Sequence, residues 1–101
     1  MQATRLSQES TPAFEISPET LIDYVGKYPL VPGFDLKVFV KDAGLFIQGT
    51  GQRALQVDPI GMDEFSRDDV GAHCTFSRDD SGQVIDVTLV QGGQKLTGKR
   101  Q

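Results

Sequence analysis

The chain has 101 residues, of which 38% are hydrophobic and 24% charged, the size and mix of one domain with a core of its own and no room for a second. Ten Lys and Arg against fourteen Asp and Glu leave a net charge of −4. That balance offers no general attraction to nucleic acid or anionic lipid, and the basic residues are dispersed, with no run longer than Lys99-Arg100. No apolar stretch reaches about 18 residues and no basic segment leads into an apolar one, so neither a membrane span nor a secretory signal is expected.

Eleven Gly and five Pro, with no Trp and one Cys, indicate many turns and therefore many short strands. Residues 1–15 are polar, lack apolar periodicity and read as a flexible lead-in or linker ahead of a single domain over 16–101. Ser17-Pro18-Glu19 is a helix start: Ser17 caps, Pro18 suits the first helical position, and Glu19 favours the positive end of the dipole. Ile16 and Leu21 fit a hydrophobic staple. Leu21, Tyr24 and Val25 then share one face, and Gly26 ends the helix after two turns.

Beyond Gly26 the hydrophobic period changes to two, with turn residues every eight to twelve positions or so. Eight strands are predicted, over 27–31, 35–41, 45–48, 52–58, 63–67, 71–78, 84–91 and 94–100. The breaks fall at Pro32-Gly33, Asp42-Ala43-Gly44, Gly49-Thr50-Gly51, Pro59-Ile60-Gly61, Asp68-Asp69-Val70, Asp79-Asp80-Ser81-Gly82 and Gly92-Gly93. Alternation puts Leu36, Val38 and Val40 on one side and Lys37, Phe39 and Lys41 on the other. Likewise Ala72, Cys74 and Phe76 oppose His73, Thr75 and Ser77, and Ile85, Val87 and Leu89 oppose Asp86, Thr88 and Val90. Eight half-buried strands must curl up or expose a long edge. The expected fold is all-β with one short N-terminal helix: an antiparallel up-and-down meander closing into a small barrel.

Successive hairpins then alternate between two ends. One end collects Pro32-Gly33, Gly49-Thr50-Gly51, Asp68-Asp69 and Gly92-Gly93; the other collects Asp42, Asp58-Pro59, Asp79-Asp80 and the helix. The Gly-rich end is the less obstructed mouth. Its residues Pro32, Phe34, Gly49, Thr50, Gly51, Gly92 and Gly93 form the candidate surface for a protein partner, with Phe34 either an apolar anchor or a core residue at the strand entry.

Little in the sequence supports chemistry. His73 and Cys74 are adjacent on a strand and point to opposite faces, so a Cys-His dyad is excluded; Cys74 reads as a core residue and His73 as solvent-facing, with a partner contact as its alternative. One His and no CxxC exclude zinc. Asp42, Asp58, Asp79 and Asp80 at one end read as turn chemistry, with a weak calcium site as the alternative. Asp63-Glu64 and Asp68-Asp69 read as solvated carboxylates, and no serine sits in a nucleophile motif. The expectation is a chain that is not itself an enzyme and uses no cofactor. An interior pocket for a small apolar ligand is the remaining option. With roughly six or seven residues per strand, however, the inward set of Leu36, Val38, Leu45, Ile47, Leu55, Val57, Phe65, Phe76, Val87, Leu89 and Leu96 suffices to fill the barrel.

Ser17-Pro18-Glu19-Thr20-Leu21, Tyr24-Val25-Gly26-Lys27-Tyr28, Leu45-Phe46-Ile47-Gln48, Asp63-Glu64-Phe65 and Val90-Gln91-Gly92-Gly93 together resemble a known family. It is the lipocalin-like domain of unknown function found C-terminal to penicillin-recognising serine hydrolases of the beta-lactamase and D-aminopeptidase type, and to other exported enzymes. The resemblance covers residues 17–100, and its Y-V-G-x-Y opening is its most specific part. It implies an accessory barrel that packs against, gates or stabilises a hydrolase domain in the same polypeptide, or docks another protein. It carries no catalytic residue, and it implies a periplasmic or extracellular parent. No hydrolase precedes the barrel in these 101 residues, so residues 1–16 read as an interdomain linker or as the start of a free-standing member.

Overall fold

The computed structural model describes residues 16–101; the expected lead-in over 1–15 lies outside the described residues. A single α-turn, α1 (Pro18–Leu21), runs into a 3-10 turn (Ile22–Tyr24), and eight strands follow: β1 (Gly26–Val31), β2 (Phe34–Lys41), β3 (Gly44–Gly49), β4 (Leu55–Gly61), β5 (Glu64–Arg67), β6 (Ala72–Arg78), β7 (Val84–Gln91) and β8 (Gln94–Lys99). They pair antiparallel in strict chain order, a meander that curls into a nearly closed barrel. Among the described residues no helix is long and apolar enough to cross a membrane.

The helix begins as its sequence dictates. Ser17 caps it, its hydroxyl accepting from Thr20 N at 3.4 Å, Pro18 occupies the first turn, and Ile16 packs on the same core as the buried Leu21, as a staple requires. It is shorter than the two α-turns expected. The second turn tightens to 3-10, which turns Tyr24 fully inward and leaves Ile22 60% exposed, and Val25 is already extended with ψ 134°. So short a helix persists through its packing rather than its propensity.

Closure depends on a close approach between the first and last strands. Lys27 O accepts from Gln101 N at 2.9 Å, so Lys27 and Pro29 direct their backbone polar groups toward β8. Pro29 has no N–H to give there. The two backbones instead come together at Gly98, where an added Cβ would collide with the Pro29 carbonyl; only glycine allows the seam to close this tightly.

Inside, the expected set recurs. Leu36, Val38, Leu45, Ile47, Val57, Phe65, Phe76, Val87 and Leu89 are buried, and Leu55 and Leu96 pack against them. Tyr24, Tyr28, Phe65 and Phe76 form the centre, with Tyr24 edge-on to Phe65 at 5.1 Å and Phe65 edge-on to Phe76 at 5.8 Å. Such pairs add about 0.5–1.5 kcal/mol beyond the burial itself.

Two strand expectations are corrected. Pro59-Ile60-Gly61 is not a break but the end of β4, which begins at Leu55 rather than Gln52, and the turn falls at Met62-Asp63. Pro59 is tolerated because it lies beyond Val57, the last residue paired to β3, and a bulge between Pro59 and Gly61 absorbs the misfit against β5. Ile85 does not point inward: a bulge opposite Ser77 and Arg78 shifts the register, so Val84 is buried at 3% and Ile85 is 40% exposed.

Candidate interaction surface

The two ends of the barrel differ in how they are held. At the helix end, Tyr24 Oη donates to Asp63 Oδ1 at 2.7 Å, and Arg78 donates from Nε to the same oxygen at 2.9 Å and from Nη2 to Tyr24 Oη at 3.2 Å. The guanidinium also lies 5.3 Å from the Tyr24 ring centre and donates to Gly82 O at 2.7 Å. Asp63 is therefore not the solvated carboxylate expected: it sits in a turn at φ +60° and is mostly covered. Burial first, and the Asp63 carboxylate second, push the Tyr24 phenol up to about 12. Desolvation pulls Arg78 down, but its hydrogen bonds to Tyr24 and Asp63 outweigh it and hold the group above its ordinary range. These hydrogen bonds fasten the helical turn to β6 and to the turn after β4.

Arg78 was legible as a warning. It occupies the next inward phase after Ala72, Cys74 and Phe76, and a charged residue on an inward phase demands a partner. The Asp-rich turns of this end do not converge: among the described residues no group of three or more His, Cys, Asp or Glu comes together as metal ligands would. Asp79 closes its own turn, accepting from Ser81 Oγ, Ser81 N and Gln83 N, and these bonds, the Ser81 hydroxyl first, hold its carboxyl below the ordinary range. Cys74 is buried, which pushes its thiol up to about 12; His73, paired with Ser66 and Val90, stands on the outer face.

At the other end, Pro32, Gly33, Thr50, Gly51, Gly92 and Gly93 are exposed at the hairpin tips. Thr50 ties two of those tips together, its N–H donating to Asp35 O at 3.1 Å and its Oγ1 accepting from Asp35 N at 2.9 Å. Gly49 is buried rather than presented, because the half-buried Phe34 ring lies against its α-carbon, where a Cβ would meet it at 2.6 Å. Phe34 packs on the core.

A largely apolar groove begins at this rim and runs onto the outer face of β1–β3. It measures about 690 Å³ and is lined by Val25, Gly26, Lys27, Asp35, Lys37, Val38, Phe39, Gln48, Gly49, Thr50 and Gly51. Register builds it: Lys27 faces Lys37, which faces Gln48, and one pleat further on Phe39 faces Phe46. The two rings stack at 5.6 Å and 14°, with Lys37 Nζ 5.7 Å from the Phe39 ring centre. Lys27 and Asp35 approach to 3.6 Å, the lysine well exposed and the carboxylate about one-third exposed, so the pair contributes little stability. Sequence alternation already places Lys37, Phe39 and Lys41 outward; the pairing with Phe46 emerges from the two-residue Asp42-Ala43 turn, both residues at positive φ, which sets Lys41 opposite Gly44 and hence Phe39 opposite Phe46.

No curated protein and no solved structure matches the chain. The model of one family, described as a domain of unknown function (DUF3471), matches residues 10–100, and with nearly all of the barrel within that span the chain belongs to this family.

Proposed function

We propose that this barrel is a non-catalytic accessory domain that docks on another protein domain, and that the partner is a hydrolase catalytic domain, in the same polypeptide or separate, as its resemblance to lipocalin-like domains carried by exported serine hydrolases implies. The observation that carries this reading is the contrast between a filled interior and an apolar groove on the outer wall. Tyr24, Tyr28, Phe65 and Phe76 occupy the barrel centre, and the groove that opens on β1–β3 is shaped by a rigid sheet, the arrangement that suits protein recognition. The filled interior weighs against the alternative, a barrel that holds a small apolar ligand.

The test is titration of this chain into a separately purified serine-hydrolase domain of the penicillin-recognising type, followed by calorimetry and by the hydrolase's thermal midpoint. Saturable binding with a raised midpoint is expected, and no turnover by the barrel alone. Turnover of an ester or β-lactam by the isolated barrel, or saturable stabilisation of it by a long-chain fatty acid, overturns the reading.

A further inference from the structure

We infer that the outer face of β1–β3 receives an extended acidic segment of the partner, with the pattern acidic, any, apolar, any, acidic. The inference rests on the accessory-domain reading and adds the chemistry of what is recognised. Charge is its first support. The outward positions of these strands carry Lys27, Lys37 and Lys41 against one carboxylate, Asp35, on a chain whose net charge is −4. Neither Lys37 nor Lys41 forms an ion pair among the described residues. A local excess of positive charge selects an acidic partner and disfavours a symmetric contact of this face with the same face of a second copy.

Spacing is the second support. Lys37, Phe39 and Lys41 follow one another on the same side of β2, so their side chains stand about 6.6 Å apart. An extended segment running along β2 repeats its own same-side residues at that distance. Its carboxylates then meet the two ammonium groups while its apolar residue settles on Phe39, beside Phe46. Stacked aromatic rings suit the centre of an interface, and the lysines on either side of Phe39 suit its polar rim. The wall across the barrel shows the difference: the row at mid-height on β6–β8 is Thr75, Thr88 and Thr97, with Thr88 and Thr97 hydroxyls 2.8 Å apart. Single-stranded nucleic acid also likes rings and lysines, but three cations match a segment with two carboxylates better than a strand with a phosphate at every nucleotide, which a chain of net −4 repels more strongly.

Fluorescence anisotropy of the full chain tests this with a labelled peptide, Gly-Glu-Ser-Leu-Ser-Glu-Gly, its Glu-to-Lys counterpart, and a twelve-nucleotide oligothymidine. The acidic peptide is expected to bind, to weaken as salt rises, and to lose about tenfold or more with K37E/K41E and about tenfold with F39S. K95E on β8, the same change of charge as K37E alone, is expected to alter affinity by less than about twofold where K37E weakens binding clearly. Lys37 and Lys41 are exposed, so their variants keep the fold; F39S is read only alongside an unchanged melt. No binding of the acidic peptide, tighter binding of the oligothymidine, equal loss with K95E, or a chain dimer dissolved by F39S each overturns the inference. A hydrolase domain that binds the barrel equally well with and without K37E/K41E sinks the acidic-segment assignment alone; one that does not bind at all sinks the accessory reading beneath it.

Discussion

Two groups of aromatic rings do opposite work in this barrel. Tyr24, Tyr28, Phe65 and Phe76 meet inside, mostly edge-to-face or tilted, and are excluded from solvent. Phe39 and Phe46 stack outside on neighbouring strands, half-buried by each other and by Lys37. For the rings carried by strands, the parity of the position decides whether the ring holds the fold or offers itself to something else. The inner rings also differ in being secured by polar groups. Tyr28 Oη donates to Tyr24 O at 2.7 Å, and Tyr24 Oη donates into the Asp63–Arg78 pair, so the hydroxyls fix the helical turn while the rings fill the core.

The comparison breaks most directly at Phe76, which touches Tyr24, Tyr28 and Phe65. Phe76→Ala is expected to cost about 3–5 kcal/mol in urea unfolding, a large part of a small domain's total; a loss under about 1 kcal/mol would mean that the interior is loosely filled and would revive the ligand-binding alternative. The next effect is at the polar anchor. Arg78→Ala strips Asp63 and Tyr24 of a shared partner in a site that is only partly exposed, and a destabilisation of about 2 kcal/mol is expected. Faster amide exchange confined to residues 18–25 should accompany it, since that is the segment the network fastens.

Alkali probes the inner hydroxyls separately. Burial is the main cause that pushes Tyr24 and Tyr28 from the ordinary 10.0 up to about 12. Between these values the unfolded chain has released protons that the folded chain still holds. Stability from this source is therefore fully present below about pH 10 and is lost as pH rises toward about 12, on the order of 1 kcal/mol per tyrosine by about pH 11. Ultraviolet titration of tyrosinate against circular dichroism should show ionisation and unfolding coinciding; tyrosinate formed at pH 10 with the fold intact contradicts the buried assignment. The smallest effect belongs to the outer pair: Phe46→Ser should cost less than about 1 kcal/mol while weakening the acidic-peptide complex. A core-sized loss there would assign Phe46 to the fold.

Much of this was legible from residue order. Alternation separated Leu36 and Val38 from Lys37 and Phe39, and every member of the expected interior set is buried or packed on the core. Ser17-Pro18 marked the helix start, and Gly and Asp marked most turns. The misreadings share a cause. Uninterrupted alternation places Ile85 inward, and a bulge shifts it by one residue; Pro59 reads as a terminator, although its missing donor falls where β4 has already left β3. Asp63 reads as solvated because its partners stand 39 and 15 residues away in the chain. Bulges, strand departures and distant ion pairs are settled by neighbouring strands, and no local window contains them.

The sequence by itself determined the class of the fold, its meander order and most of the side chains that fill it, because a period of two and a turn every few residues are local properties of the chain. Tertiary structure decided the rest. It placed Arg78 beside Tyr24 and Asp63, required a side-chain-free residue at Gly98 where the seam closes on Pro29, and brought Lys27, Lys37, Phe39 and Phe46 onto one wall. Those outcomes depend on curvature and register summed over many strands, and they become definite only when the barrel closes.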